Sequence, residues 1–369
     1  MNSTALRFFA PVNVQSGLGS GARALYRVLA QAPISLSLSN YDIGHEAHAR
    51  AEIKVHYPIL PLDQASDADI TLAFQNADGF DIFLRNTKSA FVSARRKRIA
   101  HWTWELENFP IRCRQYFPPL DEIWVPSKFV RDSLARTCEC PIHVVPYPLD
   151  DSRPAPTQFR QRFGIDHTEF MLFSMFDASS YVERKNPSAL LETVRILRND
   201  GIPARLLLKV THPHLLNDYF KAKDVMPDEA TVTIFSENLP HPEVLGLISE
   251  ADCVLSAHRS EGFGFLVAEA LALGKPVVAT DYAATQDFLN ERTGFPVPAG
   301  LTRLRETVGP YEAGQFWADP DPSLLAKTVI DVFARPDEAR SRAQAGRHLM
   351  LSKFSAAAIA RGLVEKGLI

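Results

Sequence analysis

The sequence predicts an α/β protein built from two domains, each a parallel sheet covered by helices. Three observations carry this. Short apolar runs of strand length alternate with helix-like segments along the chain, a pattern that requires crossover connections and therefore parallel strands. The 369 residues suffice for about two domains. The clearest shift in composition falls at Pro146-Tyr147-Pro148-Leu149-Asp150-Asp151, followed by Pro154 and Pro156, and reads as an interdomain linker. The expected division is 1–150 for an N-terminal domain and 151–345 for a C-terminal domain. A helical segment, 346–369, is expected to brace the first.

Composition narrows the class. A hydrophobic content of 46% and a charged content of 22% are ordinary for a chain that buries full cores. A net charge of −3 excludes bulk nucleic-acid binding. Cys113, Cys138, Cys140 and Cys253 are too scattered for a disulfide framework, and Cys138-x-Cys140 has no matching ligands for zinc. No apolar run is long enough to span a membrane and the first residues lack a signal-peptide pattern, so a cytoplasmic protein is expected.

In the first domain, Leu6–Phe9 reads as a strand that enters a glycine-rich turn, Gly17, Gly19 and Gly21, and then a helix over Ala22–Ala30. Such a turn allows close approach of a ligand, although a plain tight turn fits it equally well. Ile34–Leu38 is the second strand. Residues 40–68 are polar and loop-like, and the scatter of His45, His48 and His56 does not suit metal ligation. Asp69–Phe74 is a strand, and the basic run Arg95-Arg96-Lys97-Arg98 precedes another. A solvated surface is the default reading of that run; contact with an anionic lipid or pyrophosphate acceptor is the alternative. The next strand ends in His101-Trp102-Thr103-Trp104-Glu105-Leu106, aromatic and polar side chains of the kind that line sugar sites, or else an aromatic core cluster. Asp121–Val125 and Ile142–Val145 complete the strands of this half.

In the second half, Phe170–Phe176 is a strand followed by Asp177 to Asn186, with Pro187 suited to the first position of a helix. Arg184 and Lys185 are adjacent cations beyond a strand end, where they suit a diphosphate or are ordinary surface charge. Ala204–Val210 and Thr231–Phe235 are strands, the latter leading to Glu237 and Asn238. Asp319-x-Asp321 precedes a helix, where Asp is a favoured cap, so no metal site is assigned to it.

The most informative stretch is 251–282, ADCVLSAHRSEGFGFLVAEALALGKPVVATDY. It reads as strand, glycine-containing loop, short helix ended by Gly274 and Pro276, and strand. Glu269 is the one charge on an otherwise apolar helix, and a buried carboxylate is costly unless paired. Glu261 lies in the loop before it. The helix start offers free N–H groups to a phosphate, so Gly262, Phe263, Gly264, Phe265 and Leu266 are expected to line a phosphate seat flanked by two hydroxyl-binding carboxylates. A bland reading leaves both Glu residues on the surface.

The Glu-x7-Glu spacing, Gly-Phe-Gly after the first Glu, and the following AEALALGKPVVAT resemble the retaining glycosyltransferases of family 4, of bacterial polysaccharide type, which have the GT-B fold of two Rossmann-like domains facing a cleft. The resemblance implies transfer of a sugar from a nucleoside diphosphate sugar, GDP- or UDP-linked and leaning to GDP-mannose-like, to a glycan or lipid-linked acceptor, without a metal or other cofactor. It places Glu269 on the nucleotide ribose, Glu261 on the donor sugar, and either Arg184 or Lys185 on the diphosphate. Asn238 then lies near the base, Gly17 and Gly19 near donor phosphates and acceptor, and His101, with Glu105, near the donor sugar. Arg95–Arg98 would give peripheral contact with the inner membrane face. An epimerase, a sugar-phosphate synthase and a non-catalytic nucleotide-sugar-binding module are the alternatives on the same fold.

Overall fold

The computed structural model describes residues 3–14, 16–41, 58–149 and 153–369. The segment carrying His45, His48 and His56 lies outside them. The chain divides into two units, one of residues 1–150 with 353–369 and one of residues 151–352.

The first unit contains β1 (Ala5–Ala10), α1 (Gly17–Ala30), β2 (Ser35–Asn40), β3 (Ile70–Ala73), α2 (Phe80–Thr87), β4 (Lys97–His101), β5 (Glu122–Val125), α3 (Lys128–Ala135) and β6 (Ile142–Val144). Among the described residues its strands form one sheet in the order β2-β1-β3-β4-β5-β6, and every pair is parallel. This is the flavodoxin-like order, with the direction of winding reversing between β1 and β3. β3 and β5 are buried along their whole length and β1 nearly so, as parallel strands covered on both faces are.

Aromatic side chains fill much of this core. Phe9, Phe80, Phe83 and Phe91 meet edge-on or stacked at centroid separations of 5.2–6.0 Å. Trp102 belongs to the same cluster: it is fully buried, edge-on to Phe80 at 5.3 Å and stacked on Phe109 at 5.8 Å. Trp104 is also buried and donates its indole N–H to the Asn108 carbonyl at 2.9 Å. Of the two readings of the Trp-x-Trp segment, the core cluster describes these rings.

The basic run is largely paired. Arg95 meets Asp69 at 3.0 Å, Lys97 meets Glu122, and Arg98 makes a fork to both oxygens of Asp121 at 2.8 and 2.9 Å. The parallel register explains this, since β4 lies between β3 and β5, and Asp69 and Asp121 just before those strands, with Glu122 at the start of β5, supply the carboxylates.

The second unit contains α4 (Phe159–Arg162), β7 (Phe170–Asp177), α5 (Val182–Lys185), α6 (Pro187–Asn199), β8 (Ala204–Thr211), α7 (Pro213–Lys223), β9 (Val232–Phe235), α8 (His241–Glu250), β10 (Cys253–Ser256), α9 (Phe265–Ala272), β11 (Val277–Thr280), β12 (Phe295–Val297), β13 (Gly300–Arg303), β14 (Phe316–Asp319), α10 (Pro322–Ala334) and α11 (Pro336–Lys353). Its main sheet, again parallel, runs β12-β11-β10-β7-β8-β9, so the reversal falls between β7 and β10. That is the order of dinucleotide-binding folds. Leu206, Leu208 and Val210 of β8 pack with α6 and α10 through Leu190, Val194, Leu325 and Val329. β13 and β14 form a separate antiparallel hairpin. Asp321 caps α10 by accepting from the Ser323 N–H at 2.8 Å.

α11 runs through residue 345 without a break, and α12 (Ala356–Glu365) then packs on α1 in the first unit. Leu149 ties this return into place, its N–H donating to the Phe354 carbonyl at 2.8 Å.

One buried charge organises the first unit. Arg7 on β1 is fully buried and has no carboxylate partner among the described residues. Its guanidinium donates to Ser39 Oγ at 2.8 and 3.0 Å, to the Pro61 carbonyl at 2.6 Å and to the Gln64 carbonyl, with Cζ 4.4 Å from the Phe9 ring centre. The fork thereby pins residues 60–66 to the sheet. We expect Arg7→Met to destabilise this unit by about 2 kcal/mol or more, and Arg7→Lys not to restore it, because an ammonium lacks the planar fork. Denaturant unfolding checks both; full recovery with Lys would show that the charge alone matters.

Candidate functional site

In the second unit the loops after β7 and β10 meet at the reversal point of the sheet, where ligands of such sheets bind. The Arg259 N–H donates to the Arg184 carbonyl at 2.8 Å and joins them. The first loop ends in α5, whose last two residues are Arg184 and Lys185, and Asn186 in the left-handed region lets α6 restart at Pro187. The second loop carries Glu261 and reaches α9 through Gly264 at φ +91. A Cβ at Gly264 would lie 2.7 Å from Thr285 Cγ2, so both conformation and space require glycine there.

These loops bring three charges together. Glu261 Oε1 takes the Lys185 ammonium at 2.6 Å, and Oε2 takes Arg184 Nη1 at 3.2 Å. Arg184 is 3% exposed and is also committed to backbone: Nη1 donates to the Ser260 carbonyl at 2.8 Å and Nη2 to the Ser180 carbonyl at 3.1 Å. Burial works to raise the Glu261 carboxyl, but Lys185 and Arg184 outweigh it and hold the group down at about 2. Behind Glu261 lies His258, 1% exposed, with Nδ1 3.0 Å from Ser256 Oγ and Nε2 3.4 Å from Thr285 Oγ1. Burial lowers this imidazole to about 4, so it is neutral at pH 7.

Glu269 is buried on α9, as an apolar helix carrying one carboxylate predicts, and it has a partner: His241 Nε2 lies 2.8 Å from Oε1. His241 is the first residue of α8 and is part exposed. Gly262, Phe263 and Gly264 are buried, Leu266 nearly so, and Phe265 half-buried. The start of α9 has no side-chain cap, which leaves backbone amides as the donors at that end. Asn238 is exposed in the loop after β9, beside Glu237, which pairs with Arg162.

The residues expected in the first unit are arranged differently. Ser16 caps α1 by accepting from the Gly19 N–H at 3.1 Å. A Cβ on Gly19 would lie 1.9 Å from the Val14 carbonyl oxygen, whereas Gly17 has open space around it, so of these two Gly19 is the one required by packing. This turn follows β1 and stands at the reversal point of its own sheet. His101 is 1% exposed, its ring stacked between Phe74 at 4.8 Å and Tyr147 at 5.1 Å. Nε2–H donates to the Val145 carbonyl at 3.0 Å, which leaves Nδ1 as a buried acceptor with no partner among the described residues. Burial lowers it to about 4. Glu105 is half-buried and its charge helps raise the Tyr147 hydroxyl, after burial.

Among the described residues no group of three or more His, Cys, Asp or Glu side chains is placed to hold a metal ion, and no helix is long and apolar enough to cross a membrane. His241 and His258 are the site residues that sequence reasoning missed. His258 lies inside the motif, but its role needs Thr285, 27 residues on, and His241 needs Glu269, 28 residues on.

Two parallel six-stranded α/β sheets with these features make the fold that of the GT-B glycosyltransferases. Residues 175–331 match the family described as Glycosyl transferases group 1. Over 184 residues, 46% of this chain, the sequence is 28% identical to a glycogen synthase of Mycobacterium tuberculosis, and the match covers 40% of that protein's length. Sucrose-phosphate synthase from Thermosynechococcus elongatus superposes over 99% of both chains with a TM-score of 0.71 at 16% identity. Anabaena HepE, solved in complex with UDP, superposes over 98% of this chain and 99% of its own with a TM-score of 0.69 at 13% identity.

The Glu261 ion triad has a pH signature. A carboxyl brought from 4.5 to about 2 contributes stability that is complete above pH 4.5 and is lost as pH falls through about 2. The contribution is ~3 kcal/mol at full ionisation. We expect Glu261→Gln to be less stable than the wild type at neutral pH, with the gap closing between pH 4.5 and 2. Denaturant midpoints across that range read it; a gap independent of pH would place the effect in packing alone.

Proposed function

We propose that this protein transfers a sugar from a nucleoside diphosphate sugar to a glycan or lipid-linked acceptor, with retention of anomeric configuration. The observation that carries the reading is the ion triad of Arg184, Lys185 and Glu261 at the reversal point of a dinucleotide-type sheet. It is supported by the match of residues 175–331 to group 1 glycosyl transferases, and by HepE, a neighbour in fold, having been solved with UDP.

The chemical demand is departure of a nucleoside diphosphate, whose charge must be met as it develops. Lys185 is the cation we assign to it. Arg184 is held by two carbonyls and Glu261, so it keeps the loops together and adds its field. The amides of 263–266 complete the seat. Glu261, a firm carboxylate between two cations, is a weak base and suits accepting hydrogen bonds from donor-sugar hydroxyls. Glu269, oriented by His241, accepts from the ribose, and Asn238 serves the base, for which GDP and UDP are both candidates. With Glu261 so engaged, we assign proton removal from the acceptor to the leaving phosphate, on the same face of the sugar. His101, buried and neutral, acts through the shape of its surroundings, with Glu105 nearer to solvent. Gly17 and Gly19 stand at the corresponding reversal point of the first sheet, on the acceptor side of the reading.

The match spans about two-fifths of the curated relative's length, so the acceptor is the least constrained part of the proposal. The pairing of Arg95, Lys97 and Arg98 with carboxylates leaves that run little of the roughly 1 kcal/mol per residue that free surface cations gain at an anionic membrane.

Two outcomes are expected. Glu269→Gln weakens nucleoside diphosphate binding by on the order of 1.5–3 kcal/mol with the fold intact, read by calorimetry; unchanged affinity would remove the ribose role. Turnover of donor with glycan, sugar phosphate or water as acceptor, followed by product analysis, gives a product of retained configuration and survives excess chelator. Inversion, or complete loss restored by magnesium, would overturn the proposed charge arrangement.

A further inference from the structure

We infer that the β13–β14 hairpin clamps the diphosphate seat in position by gripping Tyr181. The inference rests on the assignment of Lys185 to a diphosphate, with Arg184 holding the loops and adding its field.

Tyr181 precedes α5 with φ 69° and ψ 101°, a conformation that a bulky side chain adopts only when its surroundings enforce it. Its carbonyl accepts from the N–H groups of Arg184 at 3.0 Å and Lys185 at 3.4 Å, and the neighbouring Ser180 carbonyl accepts from Arg184 Nη2 at 3.1 Å. The backbone angle at residue 181 therefore sets the direction in which both cations leave the loop.

The hairpin supplies the enforcement. Its connecting loop turns at Gly309, φ +56, and the Tyr181 ring lies against this glycine: a Cβ there would be 1.9 Å from Cε1 and 2.1 Å from Cζ. Tyr311, 2% exposed, packs edge-on against the same ring at 5.3 Å. Paired bonds between Val308 and Tyr311, at 2.9 and 3.0 Å, fix this tip. The other end of the hairpin is fastened to the β10 loop. The Ala318 N–H donates to the Arg259 carbonyl at 2.9 Å, and Arg259 Nη1 reaches Asp319 at 2.5 Å. The Arg259 guanidinium lies 5.7 Å from the Trp317 ring centre. Because the Arg259 N–H is bonded to the Arg184 carbonyl, the contacts close a circuit from hairpin tip to Tyr181, to Arg184, to Arg259, and back to the hairpin. Tyr181, Gly309 and Tyr311 are thus positioning residues for the diphosphate cations.

The test separates position from folding. Gly309→Ala puts a methyl group where the Tyr181 ring lies; Tyr181→Phe keeps the ring; Tyr181→Ala removes it. UDP and GDP, and uridine and guanosine alone, are titrated into each variant by calorimetry, with melting temperature recorded. We expect Gly309→Ala and Tyr181→Ala to lose tenfold or more in affinity for the nucleoside diphosphate that the wild type binds, to keep the wild-type affinity for its nucleoside, and Tyr181→Phe to match the wild type throughout. Unchanged diphosphate affinity in either disruptive variant, or an equal loss for nucleoside and diphosphate, overturns the clamp and leaves the transferase reading standing. A wild type that binds neither UDP nor GDP overturns both. Should Gly309→Ala fail to fold, Tyr181→Ala decides the question alone.

Discussion

Glu261 lies between two cations that the fold has taken largely out of water, and the second unit is arranged to make that tolerable. A buried guanidinium or carboxylate costs several kcal/mol unless its partners are in place. Arg184 is 3% exposed, and its partners come from Ser180, Ser260 and Glu261, on the loops after two different strands. Those loops can meet only because β7 and β10 are neighbours, which follows from the reversal of winding at that point of the sheet. The left-handed Gly264 and Asn186, the neutral His258 behind the carboxylate, and the hairpin fastened to Arg259 all serve the same small volume.

The first unit handles its buried charge by another route. Arg7 has no carboxylate partner among the described residues; hydroxyl and carbonyl oxygens from residues 39 to 64 satisfy its donors. Charge without a counter-charge is useful for holding a segment against a sheet, since carbonyls are supplied by any backbone. It offers nothing to exchange with a ligand. The triad differs in that respect. Under the proposed function another anion replaces its carboxylate on Lys185 while Arg184 stays fixed to backbone.

What could be read from the sequence tracks how local each interaction is. β10, its loop, α9 and β11 lie where the apolar run, the glycines and Pro276 place them, because each depends on residues within a turn or two. The parallel α/β class was legible for the same reason. The order of strands was not, and with it went the finding that the two sheets reverse differently. Glu269 was conspicuous as a carboxylate in an apolar helix, but His241 sits at the start of another helix and no periodicity points to it. The run Arg95–Arg98 looked like a free basic patch because Asp69, Asp121 and Glu122 become its neighbours only through strand pairing. Trp102 carried the composition of a sugar site and the packing of a core, and neighbours such as Phe80 and Phe117 decide between these. The hairpin escaped notice because neither strand is a continuous apolar run and the two pair across the loop 304–315.

A preformed triad also bears on how an anion would be received. Two cations and one carboxylate leave a net positive charge, and the cost of desolvating Arg184 has been met in folding, with backbone carbonyls holding the guanidinium whether or not a ligand is present. An incoming diphosphate then needs to draw Lys185 from Glu261, an exchange of one charge-assisted contact for another in a place already shielded from water. The freed Glu261 oxygen becomes an acceptor close to the same anion, where donors such as sugar hydroxyls are the groups that can meet it without repulsion. Under the proposed function, diphosphate and hydroxyl recognition are coupled through one side chain: an anion without hydroxyls leaves the displaced carboxylate short of a donor, and a neutral sugar brings no anion to displace it. The geometry favours a ligand that carries both groups, as the donor of the proposed function does.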